Sequence, residues 1–322
     1  MNPLCHQVFA GSWCFFIATS VRVYAEPPRD QPFDGHFCSD AVLNMAHGDK
    51  EPTVNRPHVG KQEINEGIFL VIHKITDGLP VGRESIDRQY VTIAEDAQCA
   101  GIQWGAYHFS RYEGYNEQTK LFKRPPKEQA EYFVARVYQN KPANAASVLL
   151  AWDFEADNGE MMSIPAMAVA VEEVQLLTGK YPGIYVNGNF ARKNLTMKGI
   201  SRSLTNDALA RLKNPQMKTG AKKVLQKCWL WVARYDHLPP EDFATDTPWE
   251  YWTMWQYTTN LYELAHFKPH PIRPHPGLRH DVAGKSGEFN YIAKSRDELN
   301  RWYAEHAWNY DLRDKTILAK YP

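Results

Sequence analysis

Several things are scarce in this chain of 322 residues, and each scarcity removes a class of protein. Cysteine is one, at five residues, too few for a fold stapled by disulfides. Net charge is another: 37 basic residues balance 37 acidic ones, so the basic stripe of a nucleic-acid binder is not to be expected. There is no Gly-rich phosphate loop, no Gly-x-Ser-x-Gly elbow and no His-Glu-x-x-His, which sets aside nucleotide, serine-hydrolase and zinc-protease chemistry. Internal repeats and heptad runs are missing as well. What remains is a chain with 43% hydrophobic residues, ample for one large core, and with ten Trp and seventeen Tyr, whose faces suit sugar rings.

Residues 1–25 read as a secretory signal, with an uncleaved membrane anchor as the alternative. Val8 to Val21 is an apolar core of the right length, short for a membrane span, and Val23-Tyr24-Ala25 fits the small-x-small cleavage pattern. Cys5 and Cys14 would leave with it. Cys38, Cys99 and Cys228 stay, enough for at most one internal disulfide, and buried free thiols are expected at Cys99 and Cys228. Residues 26–40, rich in Pro and Asp, read as a linker, residues 41–308 as the folded domain and residues 309–322 as a tail.

Within that domain apolar strand candidates alternate with helical stretches. The strands are Ala41–Ala46, Ile68–His73, Gln103–Phe109, Ser147–Glu155, Gly183–Asn187, Trp229–Arg234 and Thr253–Tyr257. The helices are Glu84–Ala100, Lys127–Asn140, Ile164–Thr178 and Arg296–His306. This alternation predicts an α/β fold with a parallel sheet, its helices thinning toward the C-terminus. The segment His266–His280 holds four histidines, but Pro between them favours a surface loop over a metal site.

The run Val148-Leu149-Leu150-Ala151-Trp152-Asp153-Phe154-Glu155 carries the chemistry. Strand side chains alternate, so Val148, Leu150, Trp152 and Phe154 share one face, and Leu149, Ala151, Asp153 and Glu155 the other. Two acids leaving an otherwise apolar face at a strand's C-terminal end are costly unless they do something, and paired carboxylates are what glycosidic bond cleavage needs. In α/β barrels the strand C-terminal ends build the active site. Other strand ends here offer Asn44, Tyr107, His108, Tyr185, Trp231, Tyr235, Gln256 and Tyr257 as candidate sugar contacts.

In order and spacing these stretches resemble family 25 glycoside hydrolases, the muramidase-type lysozymes. Phe69-Leu70-Val71-Ile72-His73-Lys74-Ile75-Thr76-Asp77-Gly78 is similar to the family's "hydrophobic-I-K-A-T-E-G". Ala100-Gly101-Ile102-Gln103-Trp104-Gly105-Ala106-Tyr107-His108-Phe109 resembles "A-G-x-x-x-G-A-Y-H-F", and Gln129-Ala130-Glu131-Tyr132-Phe133 resembles "Q-A-x-x-F". Asp153-Phe154-Glu155 matches the catalytic "D-x-E". Gly183-Ile184-Tyr185, Leu230-Trp231-Val232-Ala233-Arg234-Tyr235 and Trp255-Gln256-Tyr257-Thr258 complete the resemblance, which runs from about Ala41 to about Tyr303.

The resemblance implies an irregular, flattened, TIM-like β/α barrel. It implies a secreted or periplasmic monomer that needs no cofactor or metal, keeps no membrane span after signal cleavage, and hydrolyses the β-1,4 bond between N-acetylmuramic acid and N-acetylglucosamine of peptidoglycan. Glu155 matches the family's general acid, and Asp153 the carboxylate that assists the substrate's acetamido group. Two positions depart from the pattern. Leu43-Asn44-Met45-Ala46 stands where the family has "I-D-V-S", and Glu288-Phe289-Asn290 where it has "D-x-N", which makes Glu288 a further candidate contact. A non-catalytic or weakly active glycan-binding module on the same scaffold is the alternative. A chitinase signature would require Asp at position 151, where this chain has Ala151. Cα atoms two residues apart on a strand are about 6.6 Å apart, between the ranges that suit retention and inversion, so both outcomes stay open.

Overall fold

A computed structural model of the chain describes residues 38–45, 69–80, 86–87, 90–99, 101–156, 160–214, 216–235, 246–258, 288–292, 294 and 296–322. The elements begin with strands β1 (Cys38–Met45) and β2 (Leu70–Asp77), helix α1 (Tyr90–Cys99) and β3 (Gln103–Phe109). Two short strands, β4 (Tyr115–Asn116) and β5 (Leu121–Phe122), precede α2 (Pro126–Gln139), β6 (Leu149–Asp153), α3 (Ile164–Thr178) and β7 (Gly183–Asn187). Helices α4 (Gly188–Asn194), α5 (Met197–Ser203), α6 (Asn206–Arg211) and α7 (Met217–Lys227) then lead to β8 (Leu230–Ala233) and β9 (Met254–Thr258). The last elements are β10 (Glu288–Ile292), α8 (Arg296–His306) and α9 (Thr316–Lys320).

Eight strands close a barrel in the order β1-β10-β9-β8-β7-β6-β3-β2. Every neighbouring pair is parallel except those of β10, which runs antiparallel to both β1 and β9. A reversed closing strand, with no helix between β8 and β9 among the described residues, makes this the irregular β/α barrel that the sequence led us to expect. Strands β3 and β7 and helices α3 and α8 fall at their expected bounds.

The alternation read in β6 is the organising feature of the core. Val148, Leu150, Trp152 and Phe154 pack outward into the layer between barrel and helices. Leu149 and Ala151 point inward with Leu70, Ile72, Trp231, Met254 and Ile292. Residues on both faces are fully shielded, as expected of a parallel sheet covered by helices. Helix α3 starts where Ser163 Oγ accepts from the amide of Ala166, and it stops at Gly179, whose φ of +79° an L side chain would resist. Gly183 opens β7 because the Trp229 ring lies against it: a Cβ there would sit 2.3 Å from the indole.

Four expectations need correction. The first helix was expected from Glu84 but begins at Tyr90. Ile86 bridges Thr76 and the Asp87 amide donates to Ile75 O at 2.9 Å, so these residues pair with β2 instead of coiling. The linker expected over 26–40 overlaps β1, because Cys38 is already paired with Ile292. Residues 309–322 are no loose tail: Ile317 is buried, Lys320 Nζ donates to Glu131 Oε2 at 2.6 Å, and Arg136 donates to Pro322 O at 2.9 Å. The stretch 188–227 holds four helices where none was expected. Cys228 is a buried free thiol, as expected. The expected signal at 1–25, the His266–His280 segment and the side chains of Cys38 and Cys99 lie outside the described residues. Among the described residues no helix is long and apolar enough to cross a membrane.

Candidate active site

The register of the parallel strands sets one row of residues that closes β2, β3 and β6 and, because the strands are staggered, reaches the start of β9. Asp77 pairs with Phe109, Phe109 with Asp153, Asp153 with Tyr185, Tyr185 with Trp231, and Trp231 with Met254. Asp153 is the last residue of β6, follows Leu149 and Ala151 on the inward face, and is 7% exposed. Its carbonyl accepts from the Ser110 amide at 3.0 Å, and the next amide, of Phe154, donates to Tyr185 O at 2.9 Å. Strand pairing on both sides therefore fixes the backbone that carries the acid. Glu155 lies just beyond the strand end and is partly exposed. One carboxylate is held in the barrel wall and the other stands closer to solvent, an arrangement in which two acids can take different roles.

Beside them, on the neighbouring strands, lies a hydrogen-bonded aromatic wall. Tyr185 donates its hydroxyl to Gln256 Oε1 at 2.7 Å, and Tyr235 donates to the same oxygen. The Tyr185 and Trp231 rings meet edge to face at 4.7 Å, and Trp231 Nε1 donates to Asn290 Oδ1 at 2.6 Å. Gln256 and Asn290 are fully buried, so each amide is committed to orienting aromatic side chains. Of the candidate contacts, Tyr185, Trp231, Tyr235 and Gln256 are thus brought together, and Tyr107 joins the inward cluster at 8% exposure. Asn290 was named in the sequence only as the end of the Glu288-Phe289-Asn290 stretch and was not among the candidate contacts.

His108 is corrected. It follows Tyr107, so it faces the other way, into the layer beneath α2, and is fully buried. Its ring packs 4.3 Å from Trp152 and 5.7 Å from Phe133. Thr76 Oγ1 lies 2.8 Å from Nδ1 and Gln129 Oε1 lies 3.4 Å from Nε2. An amide oxygen can only accept, which assigns the proton to Nε2 and leaves Nδ1 to accept from the threonine hydroxyl. Burial holds the imidazole pKa down to about 4, so the ring stays neutral. It supports the wall instead of contacting a ligand in the cleft.

Two further groups at the rim were not singled out in the sequence. Gln129 is fully buried; its Nε2 donates to Arg111 O at 3.1 Å and Arg124 O at 3.0 Å, and its Oε1 accepts from the Arg111 amide at 3.0 Å. It ties down both ends of the segment that leaves β3 and carries the β4–β5 hairpin. Arg111 in turn grips Asp77 with two bonds, one from Nε and one from Nη2 to Oδ2 at 2.8 Å, and its guanidinium lies 4.8 Å from the Phe109 ring centroid. Gly78, at φ +56°, makes room for this grip, since a Cβ there would lie 2.5 Å from Arg111 Cγ. In the sequence Asp77 was named only within the Phe69–Gly78 stretch, beyond the strand expected to end at His73.

Asn44, Tyr257 and Glu288 are placed by their backbones in β1, β9 and β10; Asn44 is the register partner of both Ile72 and Glu288. Their side chains fall outside what the structure describes. Among the described residues no cluster of three His, Cys, Asp or Glu is arranged to hold a metal ion.

The family model of glycosyl hydrolases family 25 matches residues 58–206, a range that contains both Asp153 and Glu155. Among solved structures, a muramidase from Acremonium alcalophilum is similar at 18% identity, covering 80% of this chain and 95% of that one with a TM-score of 0.47. A family GH25 lysozyme from Aspergillus fumigatus is similar at 18% identity, 81% and 96% coverage and a TM-score of 0.48. A bacterial lysozyme from Streptomyces coelicolor is similar at 18% identity, 80% and 94% coverage and a TM-score of 0.47. No curated protein sequence matches.

Proposed function

Residues 58–206 match the family model of glycosyl hydrolases family 25, and from that match we propose that the chain is an exported peptidoglycan hydrolase. It cleaves the β-1,4 bond between N-acetylmuramic acid and N-acetylglucosamine, outside the cell or in the periplasm. The observation that carries this reading is the placement of Asp153 and Glu155. The first closes β6 on its inward face, the second stands two residues on at the barrel's C-terminal end, and the aromatic wall of Tyr185 and Trp231 lies beside them.

In this reading Glu155 protonates the glycosidic oxygen as the bond to the anomeric carbon breaks. The substrate's acetamido oxygen attacks that carbon from the opposite face, and Asp153 orients the acetamido N–H and offsets the positive charge that develops. Water then opens the cyclic intermediate, with Glu155 taking its proton, and configuration is retained. Tyr107, Tyr185, Trp231, Tyr235, Gln256 and Tyr257 supply sugar contacts, with Asn44 and Glu288 at the two positions that depart from the family pattern.

Digestion of purified peptidoglycan, borohydride reduction and mass spectrometry test this reading. Fragments ending in reduced muramic acid support it, whereas reduced glucosamine ends or no fragments overturn it. Glu155→Gln should abolish fragment release while leaving the circular dichroism spectrum unchanged. Because Asn44 and Glu288 replace family acids, the second reading is a glycan-binding module. Retention of the wild-type protein on cell walls without release of reducing ends would favour it.

A further inference from the structure

A second cavity, of about 660 Å³, lies at the end of the barrel opposite Asp153. Trp229 and Thr253, which directly precede β8 and β9, line it, and so does Lys294, just past the end of the antiparallel β10. At about 3.3 Å per residue, the lengths of β8 and β9 put roughly 13–17 Å of strand between it and the C-terminal end of the barrel. Barrel enzymes do their chemistry at the other end, so nothing in the proposed reaction uses it.

The walls of this cavity are aromatic and fixed. Trp229, Trp249, Trp302 and His306 form the inner part, with Tyr251 and Trp252 beside them. The Trp229 and Trp302 rings meet edge to face at 5.5 Å, and Trp302 stacks on His306 at 5.3 Å within the same face of α8. Trp249 Nε1 donates to Cys228 O at 2.8 Å, which locks that indole in place. Outward from this wall the rings become accessible: Trp252 is partly exposed, and Tyr251 is 72% exposed with its hydroxyl on the Glu250 carboxylate at 2.9 Å. Glu250, Lys294 and His306 add an acceptor, a donor and an imidazole to the lining.

The volume lies within the range of small-ligand sites. Flat aromatic faces beside a few hydrogen-bonding groups suit a pyranose ring, which is apolar on its C–H faces and polar around its edge. An acyl chain would bring no partner for the Glu250 carboxylate or the Lys227 and Lys294 ammoniums, and a phosphate would leave the aromatic faces unused. We propose that this cavity is an accessory glycan-binding site for an N-acetylhexosamine unit of the polymer cleaved at the opposite end. It rests on the peptidoglycan reading for the identity of that polymer. Its effect is avidity. A second grip on the same insoluble wall keeps the enzyme near the surface, so that each new engagement of the catalytic cleft starts from a high local concentration.

The test compares Tyr251→Ala and Tyr251→Ala/Trp252→Ala with the wild type, on one insoluble and one soluble substrate. Binding to peptidoglycan sacculi is measured by co-sedimentation in a Glu155→Gln background, where cleavage is prevented. Cleavage is measured on a soluble peptidoglycan tetrasaccharide, too short to reach both ends of the barrel. We expect sacculus binding to weaken about tenfold or more, in line with loss of one of two linked contacts, and kcat/KM on the tetrasaccharide to stay within about twofold. Thermal melts confirm that the exposed Tyr251 position tolerates the change. Unchanged sacculus binding overturns the accessory site, as does an equal loss on both substrates. Competition by a free stem peptide but not by chitotetraose overturns it too, because the occupant would then be peptide. Failure of the wild type to cleave the tetrasaccharide refutes the hydrolase reading alone, and the sacculus arm still decides the accessory site.

Discussion

Asn44 of β1 and Glu288 of β10 stand directly opposite each other in the antiparallel pair that closes the barrel. These are the two positions at which the sequence departs from the pattern it resembles. Like charges placed directly across an antiparallel pair destabilise it. The register pairs one acid with one amide, and an acid at position 44 would make the pair two acids.

Asn44→Asp should therefore lower stability at pH 7 by about 0.5–1 kcal/mol, and adding Glu288→Gln should restore it. Thermal melts of the four proteins in the cycle measure the coupling. Independent effects of the two substitutions would show that register does not link them.

Gln129 satisfies three backbone groups at the two ends of one segment. Gln129→Leu keeps its size but leaves those groups without this partner, and the expected loss is about 3–5 kcal/mol. Denaturant unfolding measures it, and limited proteolysis of the variant should cut first between residues 110 and 125. A loss below about 1 kcal/mol would mean that water replaces the amide.

His108 makes folding sensitive to mild acid. Its folded pKa of about 4 lies below the ordinary 6.5, so an unfolded chain takes up the proton first as pH falls. The stability gained from burying a neutral ring is complete above 6.5 and drains away toward 4, by about 3 kcal/mol in all. His108→Gln starts from a lower melting temperature but lacks this dependence. The gap between wild type and variant should therefore narrow from pH 7 to pH 4, and a constant gap would contradict neutral burial.

Cys228 is 2% exposed, and burial pushes its thiol pKa well up. In the native protein it should be inert to a thiol-specific disulfide reagent. Wild type and Cys228→Ser should give the same native titre and differ by one thiol in guanidinium. A native difference would mean that the floor of the accessory cavity opens.

Much of this was legible because short, β-rich apolar runs bounded by polar or turn residues read as buried strands, and strand geometry then says which side chains share a face. That Asp153 shares a face with Leu149 and Ala151 followed from alternation alone, although which face turns inward did not, and strands β3 and β7 could be bounded by eye. Alternation also held the answer for His108, since neighbours in a strand cannot both face a cleft, yet it was grouped with Tyr107. Helices α4 to α6 are six or seven residues long, too short to show an apolar period. Their starts were nonetheless marked by caps, with Asn187, Thr196 and Thr205 each accepting an amide hydrogen bond. The Asp77–Arg111 grip and the Gln129 tether join residues far apart in the chain, and no local pattern announces such pairs.

The reversed strand β10 also governs how this molecule can come into being. β1 leaves the ribosome long before β10, yet one of its two edges has no partner until β10 has been made. At about 5–20 residues per second, that wait is on the order of tens of seconds. Through it β1 can pair only with β2, leaving one edge open to any passing strand. A chaperone, or a secretion route that keeps the chain unfolded until synthesis ends, would shelter that edge; in refolding from denaturant, closure of β1 on β10 should be the slow, concentration-sensitive phase.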